Sequence, residues 1–370
     1  MALTQVDQGL LGTYAQYTGF KNRFINSAML IDQRNAGAAI TTTDTYCLDR
    51  WYTQNSVTAG TVTTQQVADA PAGFYNSAKK TFASVTLNST NGYANFQQTI
   101  ETNNTLDFAY GTASAQTITV SFWVKSSVTG AHSFCLQNYN ATRRSYLSSY
   151  TINSANTWEQ KSITIVGDTS FIIGTSTLTN AGLQVRFSQG GGTQYASATA
   201  NAWQSADVFF LTGCVSPATT NGATWQVTGV QLEKGSTATS FDYRPYGTEL
   251  QLCQRYYWKI GSTGNPVLFA VAGSPGADSN LLTYIIVPTP MRASPTLSSS
   301  AASTFGTWPA ASGGSNILGS SFYSLGANTF SPSNQVFIEM MITLASSPGT
   351  QTNRFGFRSS TAYIDASSEL

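Results

Sequence analysis

A chain of 370 residues is longer than one hydrophobic core usually serves, so two domains are the expectation. Charged residues make up 9% of it and the formal charge is +1, against about 25% charged in ordinary globular proteins. This excludes a fold built of solvated helices and the basic footprint of a nucleic-acid or anionic-membrane binder. Aromatics reach 12%, and Thr, Val, Tyr, Phe and Trp with Gly, Asn and Ser turns favour strands, so the composition reads all-β. No run approaches the roughly 18 apolar residues of a membrane span, and residues 1–20 lack the pattern of a signal peptide.

Within residues 1–20, Leu3, Val6, Leu10 and Leu11 fall at near-helical spacing. That is too brief to be stable alone, and reads as an attachment segment ordered by another protein or as a frayed terminus. From Phe20 to Pro245 short apolar or alternating runs predict strands at Ala28–Asp32, Tyr46–Gln54, Tyr93–Ile100, Thr117–Lys125, His132–Asn138, Ser145–Asn153, Glu159–Ile165, Leu183–Ser188, Ala206–Val215 and Thr224–Leu232. Strands without long helices between them predict an antiparallel sandwich. In Thr117–Lys125, Ile118, Val120, Phe122 and Val124 share one face and Trp123 takes the other. Gly229 marks a bulge in the last strand. Phe241, Tyr243, Pro245 and Tyr246 form an aromatic, proline-containing exit. The expected division is therefore an attachment segment 1–20, a first domain 21–246, a linker 247–259 and a smaller β-sandwich 260–370. In the last, strands are predicted at Pro266–Ala272, Leu281–Pro288, Asn316–Leu325, Gln335–Leu344 and Arg354–Ile364. The runs Leu281–Val287 and Val336–Leu344 are almost continuously apolar, which implies cover on both faces and suggests another subunit.

Chemistry-bearing patterns are few. Cys47, Cys135, Cys214 and Cys253 are far apart without CxxC spacing and read as buried thiols, not metal ligands or disulfides. The lone histidine, His132, has no nucleophile elbow beside it and reads as a turn or strand-edge residue; histidine metal sites are excluded. Gly190-Gly191-Gly192 lacks the lysine and helix of a phosphate loop. Paired carboxylates could hide among Glu101, Asp107, Asp168, Asp207, Glu233 and Asp242, but most sit where Asp and Glu form turns. No catalytic residue, resident metal or cofactor is expected. Rings on a rigid β surface suit sugars, whose C–H faces stack on aromatics while amides and guanidinium groups take the hydroxyls. Trp51, Tyr52, Trp123, Tyr139, Tyr146, Trp203 and Trp225 are the rings available, most of them needed by the core. The most site-like cluster is Asn138, Tyr139 and Asn140 with Arg143 and Arg144, set against an ordinary polar β-turn.

The segment from Thr224 to Lys259, TWQVTGVQLEKGSTATSFDYRPYGTELQLCQRYYWK, resembles the closing arm of a jelly-roll, carbohydrate-binding-module-like domain found in bacteriophage tail fibres and other virion surface proteins. Further matching stretches are Lys21–Met29, Leu48–Trp51, Ser121–Ser126 and Asn156–Glu159, so the resemblance spans roughly 20–258. It implies a jelly roll, a place in the virion, a homotrimer, another virion protein as partner of residues 1–20 and a host-surface glycan as ligand. Related modules often hold a structural calcium, for which Asn26, Asp32 and Glu233 are the candidates here. The leading expectation is a non-enzymatic short tail fibre or fibre-like appendage. A capsid-decorating or connector fibre with a purely structural role, and a glycan depolymerase, are the alternatives.

Overall fold

Alternation of apolar and polar residues puts one face of each strand in a core and leaves the other for solvent or a ligand, and that parity organises the first unit. In the computed structural model the described residues are 20–139, 142–171 and 181–261, with, beyond 261, the strands of a second unit and short stretches beside them. Two compact units divide the chain, Met1–Glu249 with Leu370, and Leu250–Glu369. The attachment segment expected at 1–20 lies almost wholly outside the described residues.

Strands of the first unit are β1 (Thr45–Leu48), β2 (Trp51–Ser56), β3 (Ala59–Val67), β4 (Ser77–Thr86), β5 (Tyr93–Glu101), β6 (Ile118–Ser126), β7 (Gly130–Asn138), β8 (Ser145–Ile152), β9 (Glu159–Ile165), β10 (Ala181–Gly191), β11 (Ala196–Ser197), β12 (Trp203–Gln204), β13 (Phe210–Leu211) and β14 (Thr224–Lys234). They form a seven-stranded sheet, β1-β2-β5-β10-β7-β8-β12, and a five-stranded sheet, β3-β4-β14-β6-β9, with β11 and β13 as a separate parallel pair. All neighbours within the two large sheets are antiparallel, and successive strands pass repeatedly from one sheet to the other. The unit is a jelly-roll sandwich.

Its core is a continuous aromatic stack. Phe24 packs on Trp51 at 5.6 Å between centroids, Trp51 on Phe96 at 5.0 Å, Phe96 on Trp225 at 5.7 Å, Trp225 on Phe187 at 5.4 Å and Phe187 on Phe122 at 4.9 Å. Each such ring removed from water stabilises by about 1.5–3 kcal/mol. The indole N–H groups are satisfied, Trp51 by Asn26 O and Trp225 by the Tyr150 hydroxyl, both at 2.9 Å. As the alternation predicted, Ile118, Val120, Phe122 and Val124 are fully buried while Trp123 faces outward.

Several expectations are corrected. Ala28–Asp32 is not a strand: Asn26 and Met29 hold left-handed backbone (φ 55° and 56°), and the Asn26 side chain folds the segment back by bonding both Ile31 N and Ile31 O. Tyr46–Gln54 is two strands turned at Arg50 (φ 69°). Most of Ala206–Val215 is irregular, because its apolar side chains cover a sheet face from outside it. The polar strands β3 and β4 escaped notice because TVTTQQV and SAKKTFASVT carry a weak apolar signal. His132 is neither a turn nor an edge residue but lies buried in β7, stacked on Tyr150 at 5.5 Å with Nε2 2.9 Å from Val128 O. Gly229 does sit in a bulge: the β14–β6 register shifts between Thr228 and Gln231. Where a linker was expected, α1 (Tyr246–Gln254) forms, with Pro245 before it and Glu249 in its first turn.

In the second unit, β15 (Tyr257–Gly261) and β19 (Thr296–Ser299) flank β24 (Tyr363–Ser367). Strands β16 (Leu268–Ala270) and β20 (Phe305–Pro309) flank β23 (Asn353–Phe357). A third sheet runs β17 (Ala272–Gly273), β18 (Asn280–Ile286), β22 (Phe337–Leu344), β21 (Ser320–Phe322). All of these pairings are antiparallel.

Candidate functional site

The hairpin joining β7 to β8 carries the predicted cluster, and only part of it is free for a ligand. Asn138 is buried and spends its amide on the turn, donating to Thr142 O at 3.0 Å and accepting from Arg144 N at 2.8 Å. The Arg144 guanidinium grips Asp168 with Nε and Nη2 and donates to Ser205 Oγ at 2.8 Å. Those two residues hold the loop. Tyr139 is 48% exposed, and the Arg143 guanidinium lies 4.5 Å from its ring centroid. Arg143 also donates to Asn138 O at 2.8 Å and approaches Asp207 at 4.0 Å. Asn140 lies outside the described residues.

Tyr139 borders the outer face of the seven-stranded sheet. Because Ala94, Phe96 and Ile100 of β5 and Leu183, Val185 and Phe187 of β10 point into the core, Tyr93, Asn95, Gln97 and Thr99, with Gln184, Arg186 and Ser188, occupy the opposite face. Register then aligns one row across it, Tyr46, Tyr52, Gln97, Arg186, Cys135 and Leu147. One end of the row is roofed: Val208, Phe209 and Leu211 pack on Cys135 and Leu147, and Phe209 stacks on Tyr195 at 4.6 Å and meets Tyr93 edge-on at 5.7 Å. Toward the other end the rings of Tyr52 and Tyr93 are half-buried.

The polar groups here are unusual in lacking protein partners. The hydroxyls of Tyr52, Tyr93, Tyr139 and Tyr195 bond to nothing among the described residues, and the buried Gln97 Oε1 is likewise unsatisfied. Burial, then Asp44, Tyr139 and Tyr93, push the Tyr52 phenol up to about 12. Burial and Asp44 also raise Tyr93, with Tyr195 adding to the shift and Arg186 opposing it. These mutual effects place Tyr52, Tyr93, Tyr139, Asp44 and Arg186 in one electrostatic neighbourhood. A face of tyrosine rings over amides and a guanidinium can stack sugar rings and bond hydroxyls; buried groups left unpaired in the free protein gain most from doing so.

Among the other predicted rings, Trp51, Trp225 and Tyr146 belong to the core, Trp203 packs on Tyr146 and Phe171 at its margin, and Trp123 lies on the outer face of the other sheet. Sequence reasoning found Tyr52 and Tyr139 but missed Tyr93, Gln97 and Arg186. Their signal was polar parity on two central strands, Tyr93-Asn95-Gln97 and Gln184-Arg186-Ser188.

The calcium candidates do not fit a cation. Asn26 bonds Ile31 and Asp49 O, Asp32 accepts from Asn35 N and Gly37 N, and Glu233 accepts from Thr239 and Gln231. No group of three or more His, Cys, Asp or Glu side chains placed to hold a metal occurs among the described residues.

No protein-family model matches the chain, and no curated protein matches it. Several solved structures match part of the chain. A putative sugar binding protein from Bacteroides thetaiotaomicron matches with a TM-score of 0.35 and 11% identity, over 58% of this chain and 100% of the other. The enzymatically active domain of tailspike protein 4 of bacteriophage CBA120 matches with 0.33 and 14%, over 58% of this chain but 21% of that one. A family 11 carbohydrate-binding module from Clostridium thermocellum, solved with a β-1,3-1,4-mixed-linked tetrasaccharide, matches with 0.28 and 12%, over 54% and 98%. At these TM-scores the matches carry no argument about ligand or activity.

Proposed function

We propose that this chain is a virion surface protein, a short tail fibre or fibre-like appendage, whose first unit holds a host-surface glycan on the tyrosine-lined face without cleaving it. The observation that supports the binding is the set of ring hydroxyls, with Nη1 and Nη2 of Arg186, left without hydrogen-bond partners among the described residues on one sheet face. Rigid placement matters, because a pre-formed site loses little entropy when a flexible sugar binds. The virion role rests on the closing-arm resemblance.

The non-enzymatic reading is supported by what the acids do. Asp107 pairs with Arg23, Asp168 with Arg144, Asp207 with Gln137 at 2.6 Å, Glu233 with Thr239, and Asp242 with the backbone N–H groups of Lys21 and Asn22. Each of these is committed to its neighbours, whereas glycoside hydrolysis needs a pair of carboxyl groups free to face the scissile bond. The chain acts as a homotrimer in this reading, with the apolar strands β18 and β22 facing another subunit and residues 1–20 engaging another virion protein.

Tyr52→Ala and Tyr139→Ala test the site together. Losing a stacked ring and its hydrogen bonds costs about 1–3 kcal/mol, roughly five- to 150-fold in affinity. Both variants should weaken glycan-array binding and host adsorption with melting unchanged, since neither ring is in the core. Undiminished adsorption in both variants would remove the face from the function and leave the jelly roll as a spacer.

A further inference from the structure

A guanidinium withdrawn from water normally finds a carboxylate, because an unpaired buried charge is expensive. Arg186 is withdrawn and finds none. It is 6% exposed, its Nε donates to Gln184 Oε1 at 2.7 Å, and its guanidinium lies 4.7 Å from the centroid of Phe209, which screens it from above. Nη1 and Nη2 donate to no acceptor among the described residues, yet neither is sealed from solvent. Asp207 contributes to its field but makes no ion pair with it, being held by Gln137 and approached by Arg143. Asp44 is exposed at the margin, where water and salt screen it, whereas the desolvated charge of Arg186 is screened least.

We propose that the ligand of this face is an acidic saccharide whose ring carboxylate is taken by Nη1 and Nη2 of Arg186. This rests on the glycan-binding reading above and adds the charge class of the sugar. The planar fork of the guanidinium matches a carboxylate with two parallel bonds, each charge-assisted and about twice as strong as a neutral one. Neutral hydroxyls would satisfy the donors and leave the charge uncompensated. Gln97 lies directly across from Arg186 in register, with its Oε1 buried and unsatisfied. Tyr52, cross-strand to Gln97, offers its ring to the sugar face, and Tyr139 offers a second.

The test uses the full chain and calorimetric titration with galacturonate, guluronate–mannuronate and nonulosonate oligosaccharides, each beside the same oligosaccharide with its carboxyls reduced to alcohols. At least one acidic form should bind tenfold or more tighter than its reduced counterpart at low salt, with the preference shrinking as salt rises. Arg186→Met should abolish that preference while the melting temperature holds or rises, since the variant removes a charge that the free protein leaves unpaired. Should the variant fail to fold, Arg186 is part of the scaffold, and the acidic-against-reduced comparison in the unmodified chain still decides the matter. Equal binding of acidic and reduced forms would overturn the charge assignment and leave glycan binding standing. Absence of binding to these and to a neutral glycan array would overturn both.

Discussion

Lys80 is fully buried in β4 and points across the sandwich, with Nζ 2.8 Å from Asn55 Oδ1, 2.9 Å from Asn95 O and 3.3 Å from Gln189 Oε1. Burial lowers its pKa from 10.5 to about 7. A folded-state pKa below the unfolded one means that the unfolded chain holds more protons between the two values, so stability rises with pH across that window and is least below pH 7. Integrating one proton's difference from pH 6 to 8 with the folded pKa at 7 gives a gain of about 1.4 kcal/mol. Other groups act in the same range. Buried His132, whose pKa is also lowered by burial, adds a gain of the same sign near its ordinary pKa, and the thiols of Cys47 and Cys135, pushed up to about 12, oppose it as their unfolded counterparts ionise above pH 8. His132 and Cys135 cancel in a difference between two chains, and Cys47, whose thiol the Lys80 charge lowers, acts mainly above pH 8 and so outside the window measured. The measurement is therefore urea unfolding of the natural chain and of Lys80→Met at pH 6, 7 and 8. The stability difference between them should change by about 1.4 kcal/mol in favour of the natural chain as pH rises. A difference that stays constant would refute the reasoning, and would mean that the three oxygens around Nζ hold the ammonium against desolvation.

The opening segment and the closing arm are clasped by Arg244, whose guanidinium donates to Phe24 O and Asn22 O and lies 3.3 Å from Glu249, which in turn accepts from Asn26 N. Arg244→Ala should cost about 3 kcal/mol in urea unfolding, because it leaves Glu249 buried and uncompensated, and a loss under 1 kcal/mol would contradict this. Sedimentation of the full chain at micromolar concentration should give three times 39.5 kDa; a monomer would overturn the proposed assembly.

The sandwich was legible because its signal is local. Strand β9 was bounded at Glu159 and Ile165 from alternation alone, the core parity of β6 was read from Ile118 to Val124, and the Gly229 bulge was visible as a slip in that alternation. Strands β3 and β4 were missed for the converse reason: one face of each needs few apolar residues, and Lys80 occupies a core position where a hydrophobe would have announced the strand. The face defeated sequence reading because register, not spacing, makes it. Tyr52, Gln97 and Arg186 become neighbours only when β2, β5 and β10 align, and until then a polar row on a central strand cannot be told from an ordinary wetted one.

The recognisable motif and the proposed site are built from different residues, and this separates what each can report. In the quoted stretches, Asn22 accepts from Phe24 N and Leu232 N, Arg23 N donates to Leu232 O, and Val230 N donates to Ser27 O. The bonds to Val230 N and Leu232 N meet backbone groups of β14 beside the Gly229 bulge, while Arg244 and Glu249 meet the backbone of the opening segment at Asn22, Phe24 and Asn26. The closing arm is thus a structural device, because a bulge in a buried strand leaves polar groups that must be met. Tyr52, Tyr93, Gln97, Tyr139 and Arg186 take no part in the clasp, so they can change without disturbing it. A chain that keeps the clasp but replaces Arg186 by an apolar residue should keep this fold and lose a preference for acidic sugars, which makes position 186, not the motif, the place to read specificity.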